Sequence, residues 1–153
     1  MSIVSRICVL AFAGGLVIAG GLSPTFAADS PLAGTAWQLV RFVGGDSKQV
    51  VPDDPAKYTL QFQPQGQLFA RVDCNRGRGS WDTPTDQQLR LDAMAVTRAM
   101  CPPGSLHDQI LMHLPLVRSY KLNGARLLLT LEANGGVYEF AAMEPESGDA
   151  KQK

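Results

Sequence analysis

The chain has 153 residues, of which 45% are hydrophobic and 18% charged, and its 14 basic and 14 acidic side chains leave no net charge. This length fits one domain, the apolar content excludes wholesale disorder, and the charge balance excludes a basic nucleic-acid binder. Fifteen glycines and ten prolines in so short a chain favour many turns and therefore many short strands.

The first 27 residues have the layout of a secretory signal peptide. Arg6 supplies a positive charge before an apolar run over residues 7–22, and small residues lead to a cleavage site after Ala27. An uncleaved membrane anchor is the alternative, because the charge-free stretch is long enough to cross a bilayer. Cys8 lies at the start of the apolar run and not directly after it, which argues against lipidation. We therefore expect a periplasmic or secreted protein without a stable membrane span after cleavage.

Removal of that peptide leaves two cysteines, Cys74 and Cys101. An even number of cysteines in an exported domain favours a disulfide. A catalytic thiol and a metal site are the alternatives, but neither cysteine lies in a CxxC motif.

Alternation of apolar and polar side chains predicts the strands of the first half of the domain. The first strand spans residues 34–43, with Trp37, Leu39 and Arg41 on one face, and a polar loop follows over residues 44–55. The glycine-rich segment 75–79 is expected to permit a bulge or a tight bend. Further strands are predicted at residues 58–63, 68–73, 80–82, 89–91 and 95–98.

Leu106, Ile110 and Leu114 recur at every fourth position and predict one short amphipathic helix. Ser105 is the expected N-cap, with Asp108 in a weak form of the capping box. Strands are expected after the helix at residues 117–122, 127–132 and 137–142. About eight antiparallel strands and one helix result, and such a set usually closes into a barrel or forms a sandwich.

The residues do not assemble a catalytic or metal site, so we expect neither an enzyme nor a cofactor. His107 and His113 are six positions apart and therefore point to different sides of the helix, where both are expected to be solvated. Ser80 and Ser105 lack the GxSxG setting of an acyl-transfer nucleophile.

Arginines give the one functional indication from charge. If the disulfide forms, it brings Arg76 near Arg98, because each lies within three positions of a bridged cysteine, and an anion-binding patch is the functional interpretation. The alternative is that these two residues, together with Arg71 and Arg78, are surface arginines paired with Asp73 and Asp82.

Several segments in the right order resemble the META domain, or HslJ-like, family. They are LAGTAWQL at 32–39, YTLQFQPQG at 58–66, CNRGRGSW at 74–81, TRAMC at 97–101, NGARLLL at 123–129 and GVYEF at 136–140. The resemblance implies a compact antiparallel β-barrel of lipocalin-like topology, with a helix packed against it, over residues 28–143. Residues 144–153 are expected to be a disordered polar tail.

The structural positions that we single out within these segments are Trp37, Asn75, Gly79 and Thr97. The resemblance also places Cys74 and Cys101 in the Cys-Asn and Met-x-Cys motifs of the family. Asn75 tolerates left-handed backbone geometry and is expected to cap the bend beside the disulfide. The family has no established catalytic residues, so none is carried over.

The resemblance implies an exported or envelope-attached bacterial protein, with a binding role or a role in stress or antibiotic tolerance. We expect a monomer whose partner is an envelope protein or a small ligand. A small-ligand-binding barrel is one alternative, although large side chains are expected to fill the interior: Trp37, Tyr58, Phe62 and Leu129. A proteinaceous inhibitor of a hydrolase is another, with the loops at 44–55 and 83–88 as the candidate contacts.

Overall fold

The structure is a computed structural model that describes residues 30–143. The predicted signal peptide at 1–27 and the predicted polar tail at 144–153 lie outside the described residues. The strands are β1 (Thr35–Gly44), β2 (Gln49–Val50), β3 (Tyr58–Phe62), β4 (Gln67–Val72), β5 (Asn75–Asp82), β6 (Arg90–Leu91), β7 (Ala95–Val96), β8 (Val117–Asn123), β9 (Arg126–Leu131) and β10 (Gly136–Ala142). One helix, α1 (His107–His113), precedes β8.

Eight strands form a nearly closed antiparallel barrel, in the order β6-β5-β4-β3-β1-β10-β9-β8. The segment before β6 closes it, because Leu89 N–H donates to Arg118 O at 3.0 Å and Tyr120 N–H donates to Gln87 O at 2.9 Å. Short β2 pairs with β1, and β7 pairs with β5. The predicted barrel with one short helix is confirmed.

The first strand contains a bulge that the alternation of its sequence does not reveal. Leu39 pairs with Phe140 and Arg41 with Glu139, so Val40 is the extra residue between the two pairs. The bulge returns Arg41 to the outer surface and turns Phe42 into the core. The prediction that Arg41 shares the face of Trp37 and Leu39 was therefore wrong.

Two local predictions also need correction. The loop at 44–55 contains β2, which pairs Val50 with Phe42 and extends the first hairpin.

Leu106 holds the N-cap position of α1 and makes no side-chain cap bond. The Ser105 hydroxyl accepts from His107 N–H at 3.3 Å, while the Asp108 carboxylate faces the His107 ring at 3.1 Å. The capping box does not form because the helix begins one residue later than expected.

Large apolar side chains fill the inside of the barrel. The four large side chains expected inside are all buried, with Trp37 at 4%, Tyr58 at 2%, and Phe62 and Leu129 at 0% exposure. Helix α1 covers the barrel with Ile110, and Leu114 follows it into the core. The Tyr58 hydroxyl accepts from Leu106 N–H at 3.1 Å, which ties the start of the helix to β3.

Candidate functional site

A disulfide and a buried asparagine hold an irregular segment against one end of the barrel. The sulfur atoms of Cys74 and Cys101 are bonded at 2.02 Å. Asn75 is 1% exposed, and its Oδ1 accepts from Ala99 N–H at 2.8 Å while its Nδ2 donates to Ala99 O at 3.1 Å. We call residues 97–101 the anchored segment, because Asn75 and Cys74 thus fix its middle and its end.

Thr97 completes this connection at the start of the anchored segment. Its hydroxyl donates to Asn75 Oδ1 at 3.0 Å and accepts from Arg76 N–H at 2.9 Å. Asn75 itself lies in strand β5, and Asp73 is the residue that adopts positive φ, at 57°. The left-handed geometry that Asn75 would tolerate is therefore found at Asp73 and not at Asn75. Its amide is needed instead to satisfy backbone groups of a segment that lacks regular strand pairing.

The glycines of β5 allow the Met94 side chain to approach the strand closely, and they do not form a bulge. The pairing of β4 with β5 has no register shift. A Cβ atom on Gly77 would lie 2.7 Å from Met94 Cε, and one on Gly79 would lie 3.0 Å from Met94 Cγ. Glycine at 77 and 79 lets the Met94 side chain lie directly on the strand, a tertiary reason that the spacing of glycines cannot show.

The anchored segment presents an apolar side chain to solvent. Met100 is 98% exposed, and Arg98 is exposed on the same segment. A groove of about 740 Å³ separates the segment from α1 and is lined in part by Met94, His107 and Leu111. Sequence reasoning missed Met100 because its exposure depends on the Ala99 bonds to Asn75, which lies 24 positions away.

Three arginines occupy the outer surface of β4 and β5, and we call Arg71, Arg76 and Arg78 the arginine face. Arg71 pairs directly with Arg76 across the two strands. Arg71 Nε and Arg76 Nη1 both donate to the main-chain oxygen of Asp73, at 3.4 and 3.3 Å. The Arg78 guanidinium lies 5.0 Å from the centre of the Phe69 ring, within the range of a cation–π contact.

The expected carboxylate partners of these arginines are engaged elsewhere or offer only their main chain. Asp82 forms its ion pair with Arg90, and Asp73 gives Arg71 and Arg76 its carbonyl oxygen. Within residues 30–143, no ion pair of 4.0 Å or less involves the arginine face.

Arg76 and Arg98, which the sequence predicts to form an anion patch, line two neighbouring cavities. Arg76 lines a hollow of about 430 Å³ together with Phe69 and Arg78, whereas Arg98 lines the groove beside α1. Val96 and Thr97 line both, so the two cavities adjoin along β7 and the start of the anchored segment.

The two histidines differ from the expectation of two solvated side chains. His113 is partly buried, and its Nδ1 lies 2.8 Å from the Tyr138 hydroxyl, with the ring beside Phe42. Burial lowers the pKa of His113 below 6.5 and raises the pKa of Tyr138 to about 12. His107 lies on another side of the helix, at the groove. The neutral histidine ring and the protonated phenol thus join the end of α1 to β10.

Over residues 30–143, no three His, Cys, Asp or Glu side chains converge as a metal site would require. In the same part of the chain, no helix has the length and apolar character needed to cross a membrane.

Comparison with known proteins supports the architecture. The sequence model of the META domain matches residues 30–144. A solved structure described as an NMR structure of the protein from Burkholderia xenovorans aligns with a TM-score of 0.65 at 20% identity, over 90% of this chain and 100% of the other. A DUF4847 family protein from Bacteroides vulgatus aligns with a TM-score of 0.53 at 17% identity, over 82% and 100%. A search of the curated proteins finds no significant match.

Proposed function

Since the chain belongs to the META domain family, we propose that it is a non-enzymatic binding module of the bacterial cell envelope. Its contact with a partner is made by the anchored segment, residues 97–101. The 98% exposure of Met100 is the observation on which this proposal rests.

An exposed methionine on a fixed backbone is well suited to binding. The Cys74–Cys101 disulfide and the Asn75 amide order the segment before any partner arrives. Less conformational entropy is then lost on association, so more of the contact energy appears as affinity. The unbranched side chain of Met100 adapts to an apolar pocket on the partner, and Arg98 supplies a charge beside it.

Export is part of the same proposal. Residues 1–27 act as a cleaved signal peptide, and the disulfide suits the oxidising periplasm or the outside of the cell. The resemblance to the META family adds a role in stress or antibiotic tolerance, which the module serves as a monomer by holding an envelope partner.

A hydrolase inhibitor is the second candidate function, and the shape of the anchored segment favours it. Inhibitors of hydrolases present a side chain on a loop whose conformation is fixed in advance, as Met100 is presented here. In this candidate function the contact lies at residues 97–101, and the loops at 44–55 and 83–88 are the alternative contacts that the sequence suggests. A carrier function for the barrel interior is disfavoured, because Phe62 and Leu129 are among the fully buried side chains that occupy it.

Site-specific photocrosslinking in the native envelope tests the proposal. A photoreactive amino acid replaces Met100 in the tagged full-length precursor, and the matched control carries it at Met112, which is 66% exposed on α1. We expect a discrete protein adduct from position 100 and none from position 112, identified by mass spectrometry. Equal adduct patterns from both positions, or no adduct from position 100, would contradict the proposal.

The same preparation tests the export step. The intact mass of the purified protein is expected to lack residues 1–27 and two hydrogen atoms, which correspond to cleavage after Ala27 and to the disulfide. A full-length mass would instead support the membrane anchor.

A further inference from the structure

We propose that the arginine face (Arg71, Arg76 and Arg78) is a binding site for a phosphate group. The ligand is a phosphate carried by a lipid headgroup or by a soluble molecule, since both present the same oxygens. This inference deepens the proposed binding function by naming a ligand chemistry for a second surface, and it does not require the partner of Met100.

The first argument is the convergence of two guanidinium groups. Arg71 and Arg76 are direct cross-strand neighbours, and both donate to one acceptor, the main-chain oxygen of Asp73. Like charges placed directly opposite each other on a sheet destabilise it. The arrangement therefore stores a repulsion that an anion bound between the two groups would relieve.

The second argument is that each guanidinium keeps donors for a ligand. Arg71 uses Nε for the Asp73 oxygen, and Arg76 uses Nη1 for the main-chain oxygens of Asp73 and Asn75. Since a guanidinium carries five N–H donors, most of them stay available on both side chains. The contacts to the main chain limit the rotation of the two groups, which lowers the entropy lost on binding.

The third argument is the position of Arg78. It lies opposite Phe69, two pairs from Arg71–Arg76 and therefore on the same face of the sheet, with its guanidinium 5.0 Å from the centre of the Phe69 ring. Arg76, Arg78 and Phe69 line one hollow of about 430 Å³ that is open to solvent. A single carboxylate is satisfied by one guanidinium fork, whereas the oxygens of a phosphate accept from several guanidinium groups together.

The fourth argument concerns the nearest acidic side chain, Asp73. Its carboxylate makes no ion pair within 4.0 Å of Arg71 or Arg76, which take only its main-chain oxygen. The positive charge of the face is therefore weakened by Asp73 but not neutralised. Replacement of this carboxylate by an amide is expected to strengthen anion binding.

Titration of the mature protein with pyrophosphate tests the site, with the side-chain Nε–H resonances of the arginines as the readout. Arg71 and Arg76 are expected to shift, and Arg126, which is paired with Glu139, is the internal reference. Arg76→Gln is expected to weaken binding by about tenfold, the loss of one or two charge-assisted hydrogen bonds. The matched control Arg126→Gln is expected to change it by less than about twofold, because its pairing with Glu139 leaves it little role in anion binding.

Two further variants keep the result interpretable. Asp73→Asn is expected to tighten binding severalfold, and asparagine tolerates the φ of 57° at this position. Arg76→Lys keeps the charge but removes the planar fork, so it is expected to fall between wild type and Arg76→Gln. Circular dichroism of each variant verifies the fold.

Vesicles distinguish the two sources of phosphate. Binding to phosphatidylglycerol vesicles, but not to phosphatidylcholine vesicles, with loss in Arg76→Gln, assigns a lipid headgroup. Pyrophosphate binding without vesicle binding assigns a soluble phosphate. Either result supports the site.

Three results would overturn the phosphate site. The first is that Arg76→Gln and Arg126→Gln weaken pyrophosphate binding equally, and the second is that the Nε–H resonances of Arg71 and Arg76 shift with neither pyrophosphate nor vesicles. The third is that a polyglutamate peptide binds as tightly as pyrophosphate or more tightly, which would indicate an acidic protein as the ligand. A Met100→Glu variant is expected to retain phosphate binding, so failure of the partner proposal and failure of this one are separate observations.

Discussion

Arginines on two sides of the same barrel have opposite surroundings. On the side of β1, β9 and β10, Arg41 and Arg126 share the carboxylate of Glu139, with Arg41 Nε 2.7 Å from its Oε2 and Arg126 Nη1 3.6 Å from its Oε1. On β4 and β5, Arg71 and Arg76 face each other and share only a carbonyl oxygen.

The difference shows what a balanced composition conceals. A net charge of zero is compatible with one surface whose charges cancel in pairs and another whose charges do not. Exposed pairs such as Arg126–Glu139 contribute little beyond solubility, whereas guanidinium groups that form no ion pair within residues 30–143 are open to a ligand. The arginine face lies beside the Cys74–Cys101 disulfide and the Asn75 amide at the start of β5. Variants of these two features are therefore the first test of the contrast.

The largest effect is expected from removal of the disulfide. Cys74→Ser should lower the free energy of unfolding by about 3–4 kcal/mol, because the bridge restricts the unfolded chain. The melting temperature measured by calorimetry should fall by about 10 °C or more. Reductant should produce the same shift in the wild type and none in the variant. An unchanged melting temperature would show that the bridge does not support this end of the barrel.

Asn75→Ala is expected to have the next largest effect. It removes the two hydrogen bonds between the Asn75 amide and the N–H and C=O of Ala99, at a cost of about 1–3 kcal/mol. Urea unfolding measures the loss, and faster amide exchange at Ala99 localises it. Asn75→Asp keeps the acceptor but buries a charge and places a second carboxylate oxygen against Ala99 O, so it should destabilise at least as much as Asn75→Ala. The proposed anchoring would be contradicted if Asn75→Ala left Ala99 exchange unchanged.

Neutralising one arginine on each side of the barrel is expected to change the free energy of unfolding in opposite directions. Without added anion, Arg76→Gln should raise the free energy of unfolding by a few tenths of a kcal/mol, because it removes a like-charge neighbour. Arg126→Gln should lower it by a similar amount, because it removes half of an exposed ion pair. Chemical unfolding at low ionic strength measures both. A lower free energy of unfolding in both variants would show that the two sides do not differ in this respect.

The smallest effect is a pH dependence at the end of α1. Because burial lowers the pKa of His113 below 6.5, the unfolded chain binds a proton first as the pH falls. Stability should therefore decrease as the pH drops below 6.5 and level off below the pKa of the folded state. Thermal unfolding between pH 7 and 5 should show a smaller decrease in His113→Gln than in wild type. An identical decrease in both would assign the effect to other groups.

Most of the fold could be predicted from the sequence. Alternation of apolar and polar residues, as at Tyr58, Leu60 and Phe62, indicates a strand with one buried face, and the inner face of a barrel strand is always buried. The errors lie where contacts between distant segments decide the local geometry. Val40 is an extra residue because of the partner strand β10, and Gly77 is glycine because of Met94. Neither partner can be recognised from neighbouring residues.

The candidate site was predictable only in part for the same reason. Arg76 and Arg98 could be named from their distance along the chain to the cysteines. That Arg71 and Arg76 converge on one oxygen depends on the register between β4 and β5, and the exposure of Met100 depends on the Asn75 amide.

The pairing of β1 with β10 has a consequence for how the protein is made. Strand β10 joins β1 to β9, so without it the barrel is open between these two strands and each of them has an unpaired edge. While the chain emerges from a ribosome, β1 must wait for residues that arrive about a hundred positions later. The connectivity thus delays closure of the barrel until the last strand has been synthesised.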